Sequence, residues 1–177
     1  MGQVHPPTPV LLILATFSRY EEALEWALQQ AQRHWGPLAL ASEIMPFRET
    51  RYYEQAMGGD LLKQLVAFER LVDPAVLVDC KLHSNLWEEA FQTSRTYPET
   101  RPLNLDPGYL TEAKLVLATT KDRDHRIYLG RGIYAEVTLH YQRGRGWQPH
   151  EWTYPDFRNP RYHEFFTRCR QYLRQHK

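Results

Sequence analysis

The chain has 177 residues, 42% of them hydrophobic and 24% charged, which fits one ordinary globular domain long enough to bury a core. Lys and Arg total 22 against 21 Asp and Glu, so no overall field draws in nucleic acid or an anionic membrane surface. The longest apolar run, "VLLILATF", is far too short to span a bilayer, and "MGQVHPPTP" before it lacks a secretory signal's basic start and cleavage site.

Residues 1–9 read as a flexible lead-in. Val10 to Phe17 is short and apolar throughout, which predicts a buried strand. Ser18 with Glu21 makes a capping-box pattern. Tyr20, Leu24, Ala27, Leu28, Ala31 and Trp35 then recur at helical spacing until Gly36-Pro37. "LALASEIMPF" predicts a second strand, and hence a β-α-β opening. Leu61, Leu65, Phe68 and Val72 suggest a helix over 60–72, stopped by Asp73-Pro74. "AVLVDCKLH" reads as the next strand, and Asn85 with Glu88 as the cap of a short helix through Phe91. "YPETRPLNLDPGYL" reads as a loop with a brief extended piece and a turn at Asp106-Pro107-Gly108.

From Lys114 to Tyr141 the pattern switches to period two, predicting three strands, the last two joined around Gly130-Arg131-Gly132. Asn159-Pro160 opens a terminal helix with Tyr162, Phe165, Phe166, Cys169 and Tyr172 on its inner face. The fold class expected is α+β or α/β: a single domain with a mixed sheet, an antiparallel C-terminal meander and flanking helices. Cys80 and Cys169 lack metal-type spacing and sit in apolar patterns, so a reduced, cytoplasmic protein without disulfides is expected.

Alternation sorts side chains onto two faces of a sheet. Read as strands, the segments place Asp79, Lys81 and His83 on one face of the third. Asn104 and Asp106 share a face of the extended piece, and Tyr134, Glu136, Thr138 and His140 a face of the last strand. A hydrated sheet face produces the same alternation. Asp and Asn are poor strand formers, however, and their mid-strand position points to a pocket.

Asp79, Asp106 and Glu136 are hard-oxygen candidates for Mg²⁺, with surface salt bridges and turn initiation by Asp106 as the plainer alternatives. Lys81, Lys114, Lys121, Arg123 and Arg126 are candidates to grip a phosphate or carboxylate. In "TTKDRDHR" the alternating signs suit a solvated tip, whereas Arg126 and Tyr128 fall inside the strand. Asn85, Asn104, Tyr128 and Tyr134 would orient the ligand, and Asp106 and Glu136 would serve as acid and base. His125, His83 and His140 are possible proton shuttles. No glycine-rich phosphate loop or nucleophile triad is present.

"RYYEQAMGG", "LVDP", "KLHSN", "RPLNLDPGYL", "KLVLATTKDRDHRIYLGRGIYAEVTLHY" and "WTYPDFR" together resemble an uncharacterised bacterial family catalogued as domain of unknown function 4416. The resemblance covers nearly the whole chain. It implies a small soluble protein with no assigned reaction and no catalytic residues to carry over.

The leading expectation is a protein binding an anionic or phosphorylated small molecule or nucleotide, with metal-assisted hydrolysis or phosphoryl transfer as the chemistry. A second is an RNA-binding module using Arg143, Arg145, Arg170 and Arg174 beside the C-terminal aromatics. A third is a structural or interaction protein without a site.

Overall fold

The computed structural model describes residues 2–50, 52–94 and 96–177. Fifteen stretches of regular structure alternate along the chain, beginning with strand β1 (Val10–Ser18), helix α1 (Glu21–Trp35) and the short strands β2 (Leu38–Ala41) and β3 (Met45–Phe47). A single-turn helix α2 (Glu54–Met57), strand β4 (Leu61–Val72) and a 3-10 turn (Pro74–Val76) lead into helix α3 (Leu77–Ser94). Then come β5 (Asn104–Leu110), β6 (Lys114–Thr119), β7 (Ile127–Gly130), β8 (Ile133–Gln142) and β9 (Gly146–Pro149). A second 3-10 turn (Pro155–Arg158) and helix α4 (Pro160–His176) close the chain.

The strands form one nine-stranded sheet in the order β2-β4-β1-β5-β6-β8-β7, with β3 on β4 and β9 on β8. Every ladder among the described residues is antiparallel. The expected β-α-β opening is there in split form: β1 and β2 run in the same direction on either side of β4. The class is α+β, with the antiparallel C-terminal half and the terminal helix in place.

Three layers hold the core. Leu12 and Leu14 of β1 pack with Ala23 and Ala27 of α1 and Trp87 and Phe91 of α3. The alternate residues Leu11 and Ile13 face the other way, onto Phe165, Phe166 and Cys169 of α4. β1 is therefore apolar on both sides, as a central strand between helix layers must be.

Several sequence expectations are overturned. Residues 60–72 form strand β4, not a helix. Leu61, Lys63, Leu65 and Ala67 are buried at period two, and pairing with β1 on one side and β2 and β3 on the other overrides local preference. "AVLVDCKLH" is not a strand. Asp73 accepts a hydrogen bond from the Ala75 N–H and Pro74 takes the first turn, so the dipeptide read as a stop is a helix start. Leu77, Cys80, Lys81, Ser84, Trp87 and Phe91 then share one buried stripe at helical spacing, and Asn85 and Glu88 lie inside this helix instead of capping another. Asp106-Pro107-Gly108 makes no turn and runs straight through β5. Ser18 ends β1 and does not cap α1: its hydroxyl donates to the Pro102 carbonyl and accepts from the Tyr20 N–H.

Candidate functional site

β5 pairs with β1 from Asn104 to Leu110, but with β6 only where Gly108–Leu110 meet Leu115–Leu117. Pro107 has no N–H to offer a neighbour, and beyond it the ladder with β6 stops. Into the opening comes Lys81 from α3. Its ammonium donates to the Leu105 carbonyl at 2.8 Å and to Asp106 Oδ1 at 3.4 Å. A cavity of about 480 Å³ lies here, at the ends of the strands. Its size falls within the roughly 300–1,000 Å³ usual for small-molecule pockets.

The floor is made of buried charged side chains and its walls include aromatic rings. Lys63 of β4 is paired with Asp156 of the second 3-10 turn, and its ammonium lies 4.4 Å from the Phe157 ring centre and within 5.5 Å of Phe17, Phe47 and Tyr162. Arg126 donates from Nε to Glu136 Oε2 at 2.9 Å and from a terminal nitrogen to the Lys121 carbonyl. Glu136 Oε2 is also 3.2 Å from His125 Nε2, and His125 Nδ1 is 2.9 Å from the exposed Asp124. The wall toward α3 is closed by Glu88, which accepts two bonds from Arg101 and one from the Leu105 N–H.

The exposed rim includes Lys121, Tyr154 and Gln92. Lys121 belongs to the connection from β6 to β7. That connection must cross the end of β8, because β8 lies between the two strands it joins. The charge run in "TTKDRDHR" is thus the crossing segment: Lys121 and Arg126 line the cavity while Asp122, Arg123 and Asp124 face solvent. Lys121 donates to the Tyr52 hydroxyl at 3.1 Å and thereby lowers that phenol's pKa.

Two carboxyl groups in one cavity are driven in opposite directions. Burial alone would raise Asp106, but Lys81, with Lys63, Arg101 and the Asn104 amide, outweighs it and holds the group below the ordinary Asp range. At Glu88 burial prevails over Lys81 and Arg101, and the carboxyl sits above the usual Glu value.

Of the residues singled out from sequence, Lys81, Asn85, Asn104, Asp106, Arg126 and Glu136 line this one cavity. Asp79 does not join them. In a helix it projects a different way from Lys81, and it pairs with Arg131 at the exposed β7–β8 turn. The three proposed Mg²⁺ ligands therefore do not converge, and among the described residues no three His, Cys, Asp or Glu side chains form a metal-binding group. Lys114 is exposed at the opposite end of β6. Arg126 precedes β7 and turns inward, whereas Tyr128 is exposed and packs at 5.2 Å on Tyr134, outside the cavity wall.

The sequence reading misses Lys63, Asp156 and Arg101, ranks Lys121 behind Arg126 as part of a solvated tip, and gives Glu88 the wrong task. A strand reading of 61–72 would have put Lys63 on an inward face. Arg101 and Lys121 lie in irregular segments whose placement depends on the whole topology. The arginines proposed for RNA are not at this cavity: Arg143, Arg170 and Arg174 line a separate, open depression around Glu112, and Trp147 is buried and unavailable for stacking there. No helix among the described residues is long and apolar enough to cross a membrane.

No curated protein and no solved structure matches the chain. A family model described as a domain of unknown function, DUF4416, matches residues 8–172, which carry every strand among the described residues, the whole cavity lining and the helices up to the last turn of α4. The chain belongs to the DUF4416 family.

Proposed function

We propose that this protein binds a small anionic molecule, phosphorylated or nucleotide-like, in the cavity between β5, β6 and α3. What carries the reading is that Lys63 of β4, Lys81 of α3, Arg101 of the α3–β5 loop, and Lys121 and Arg126 of the β6–β7 connection come from four separate segments and line one cavity with Asn85 and Asn104. A core needs none of these groups, and burying a charge is unfavourable unless it is paired and bonded. Aromatic walls from Phe17, Phe47, Tyr53 and Phe157 supply the apolar surface against which a ring or base can rest.

For hydrolysis or phosphoryl transfer, Asp106 is the group placed to accept a proton, being held ionised and facing the cavity. Glu136 is closed in by Arg126, His125 and Thr138, and its role is to position Arg126. The test is a thermal-shift screen of mononucleotides, sugar phosphates and inorganic phosphates, with and without Mg²⁺. Stabilisation by phosphate-bearing compounds that is lost in Lys81→Met or Lys121→Met supports the reading. Absence of stabilisation by every anion, or stabilisation unchanged in both variants, refutes it.

A further inference from the structure

The charges lining the cavity are unequally open, and that inequality selects a class of ligand. The inference rests on the binding reading above. On the floor Lys63, Asp156, Lys81, Arg126 and Glu136 are each 5% exposed or less, Lys63 paired with Asp156, Arg126 with Glu136 and Lys81 with Asp106. Asp106 keeps 29% of its side chain open. Its Oδ2 accepts from the Asn104 amide at 2.7 Å and its Oδ1 has only the long contact to Lys81. A carboxylate offers about four acceptor sites, so Asp106 has capacity left over, and that capacity faces the cavity. The Asn85 side chain lines the same wall and has no protein partner among the described residues.

The rim carries the opposite sign. Lys63, Lys81, Arg101 and Arg126 each have a carboxylate partner, so among the described residues Lys121 is the one lining cation without such a partner. An anion meets an ammonium without a carboxylate partner at the entrance and, at the bottom, a carboxylate with acceptor capacity to spare. A second anionic group carried inward would lie against Asp106 and be repelled, while hydroxyl or ammonium donors there would be bonded.

We infer that the cavity takes a ligand with one anionic head and a donor-rich body, of the class of sugar or polyol monophosphates. The phosphate lies at Lys121 on the rim, and the hydroxyl groups reach Asp106 and Asn85 on the floor. Diphosphates and other molecules charged at both ends fit poorly.

Isothermal titration with glucose 6-phosphate, glucosamine 6-phosphate, ribose 5-phosphate, glucose and pyrophosphate tests this. The sugar phosphates should bind roughly tenfold or more tightly than glucose or pyrophosphate, the equivalent of one charge-assisted hydrogen bond. Asp106→Asn should weaken the sugar phosphates by a similar factor and leave pyrophosphate unchanged or tightened. Lys121→Met, on the exposed rim where folding is undisturbed, should weaken every phosphate-bearing probe. Tighter binding of glucosamine 6-phosphate would assign an ammonium to Asp106, and equal binding would assign hydroxyl groups; both agree with the inferred polarity. Pyrophosphate binding as tightly as the sugar phosphates overturns the polarity and leaves the anion-binding reading standing. Failure of every phosphate-bearing probe to bind overturns both.

Discussion

Lys81 and Asp106 meet from opposite faces of the sheet. Lys81 rises from α3, on the face that Leu105 shares, whereas Asp106 pairs across the ladder with Ala15 and so points to the α4 side. The contact exists because β5 and β6 separate below Gly108 and let the lysine reach between them. Lys81→Met should leave the Leu105 carbonyl and an ionised Asp106 short of a donor. The expected loss is about 1–3 kcal/mol in urea unfolding, below a fully buried pair because Asp106 is partly open. Adding Asp106→Asn to that variant should recover part of the loss.

The opposed shifts of Asp106 and Glu88 give an acid-stability signature. Asp106 is depressed in the folded state, so its contribution is present above the unfolded value of about 3.9 and disappears as pH falls through the lower folded value. Glu88 is raised, so its contribution is present below its unfolded value of about 4.3 and is lost as pH rises through the folded value. On acidification the two act against each other. Asp106→Asn should flatten the loss of stability below about pH 4, and Glu88→Gln should steepen the loss below its raised folded value. Unfolding midpoints measured from pH 6 to pH 3 check both signs, and parallel curves for the two variants would contradict them.

Lys63 and Asp156 tie the entry of β4 to the turn that precedes α4, and the pair is nearly closed to solvent. Lys63→Met should strand a buried carboxylate at a cost of about 3–5 kcal/mol. Because four aromatic rings surround the ammonium, the site is otherwise apolar, and a well-packed hydrophobic replacement of both partners suits it. Lys63→Met with Asp156→Leu should therefore recover most of the stability lost by the single change. A double variant no more stable than the single one would mean that Asp156 also holds the turn by itself.

How far the sequence reaches depends on whether a pattern is local. β1 is legible as a short apolar run, and β6, β7 and β8 because their alternation and turn glycines sit within a few residues, whereas β9 goes unread. Asn159-Pro160 likewise named the start of α4, where the Asn159 side chain accepts from the Arg161 N–H. Residues 60–83 read in reverse, helix for strand and strand for helix, while 85–91 read correctly as helix. "LLKQLVAFERLV" has apolar residues at both periods, and only its place between β1 and β2 decides. Asp73-Pro74 is ambiguous in the same way, ending one element and opening another. Lys81, Asp106 and Glu136 were picked out as polar groups in apolar settings and do share a cavity. Lys81 arrives there on a helix and not on the expected strand. Arg101 goes unnoticed and Lys121 ranks behind Arg126 and Tyr128, because nothing local says that their loops close over the same opening.

Gly108 marks the point where β5 and β6 begin to pair, and it has no room for a side chain. A methyl group there would lie 2.4 Å from the Val116 carbonyl oxygen and 2.6 Å from Leu117 Cδ2. The first of these is backbone and cannot swing aside, so Gly108→Ala must push β6 away from β5. Overpacking of this kind costs about 1–3 kcal/mol. Gly59 provides the control, with open space around the same methyl position and no unusual backbone angle, and Gly59→Ala should be neutral or slightly stabilising. Because the cavity begins where this ladder ends, Gly108→Ala should also change ligand affinity through the spacing of Asp106 from Leu117. Unfolding and titration on the two alanine variants check this: equal stability for both would show that the strands close at Gly108 by something other than the absent side chain.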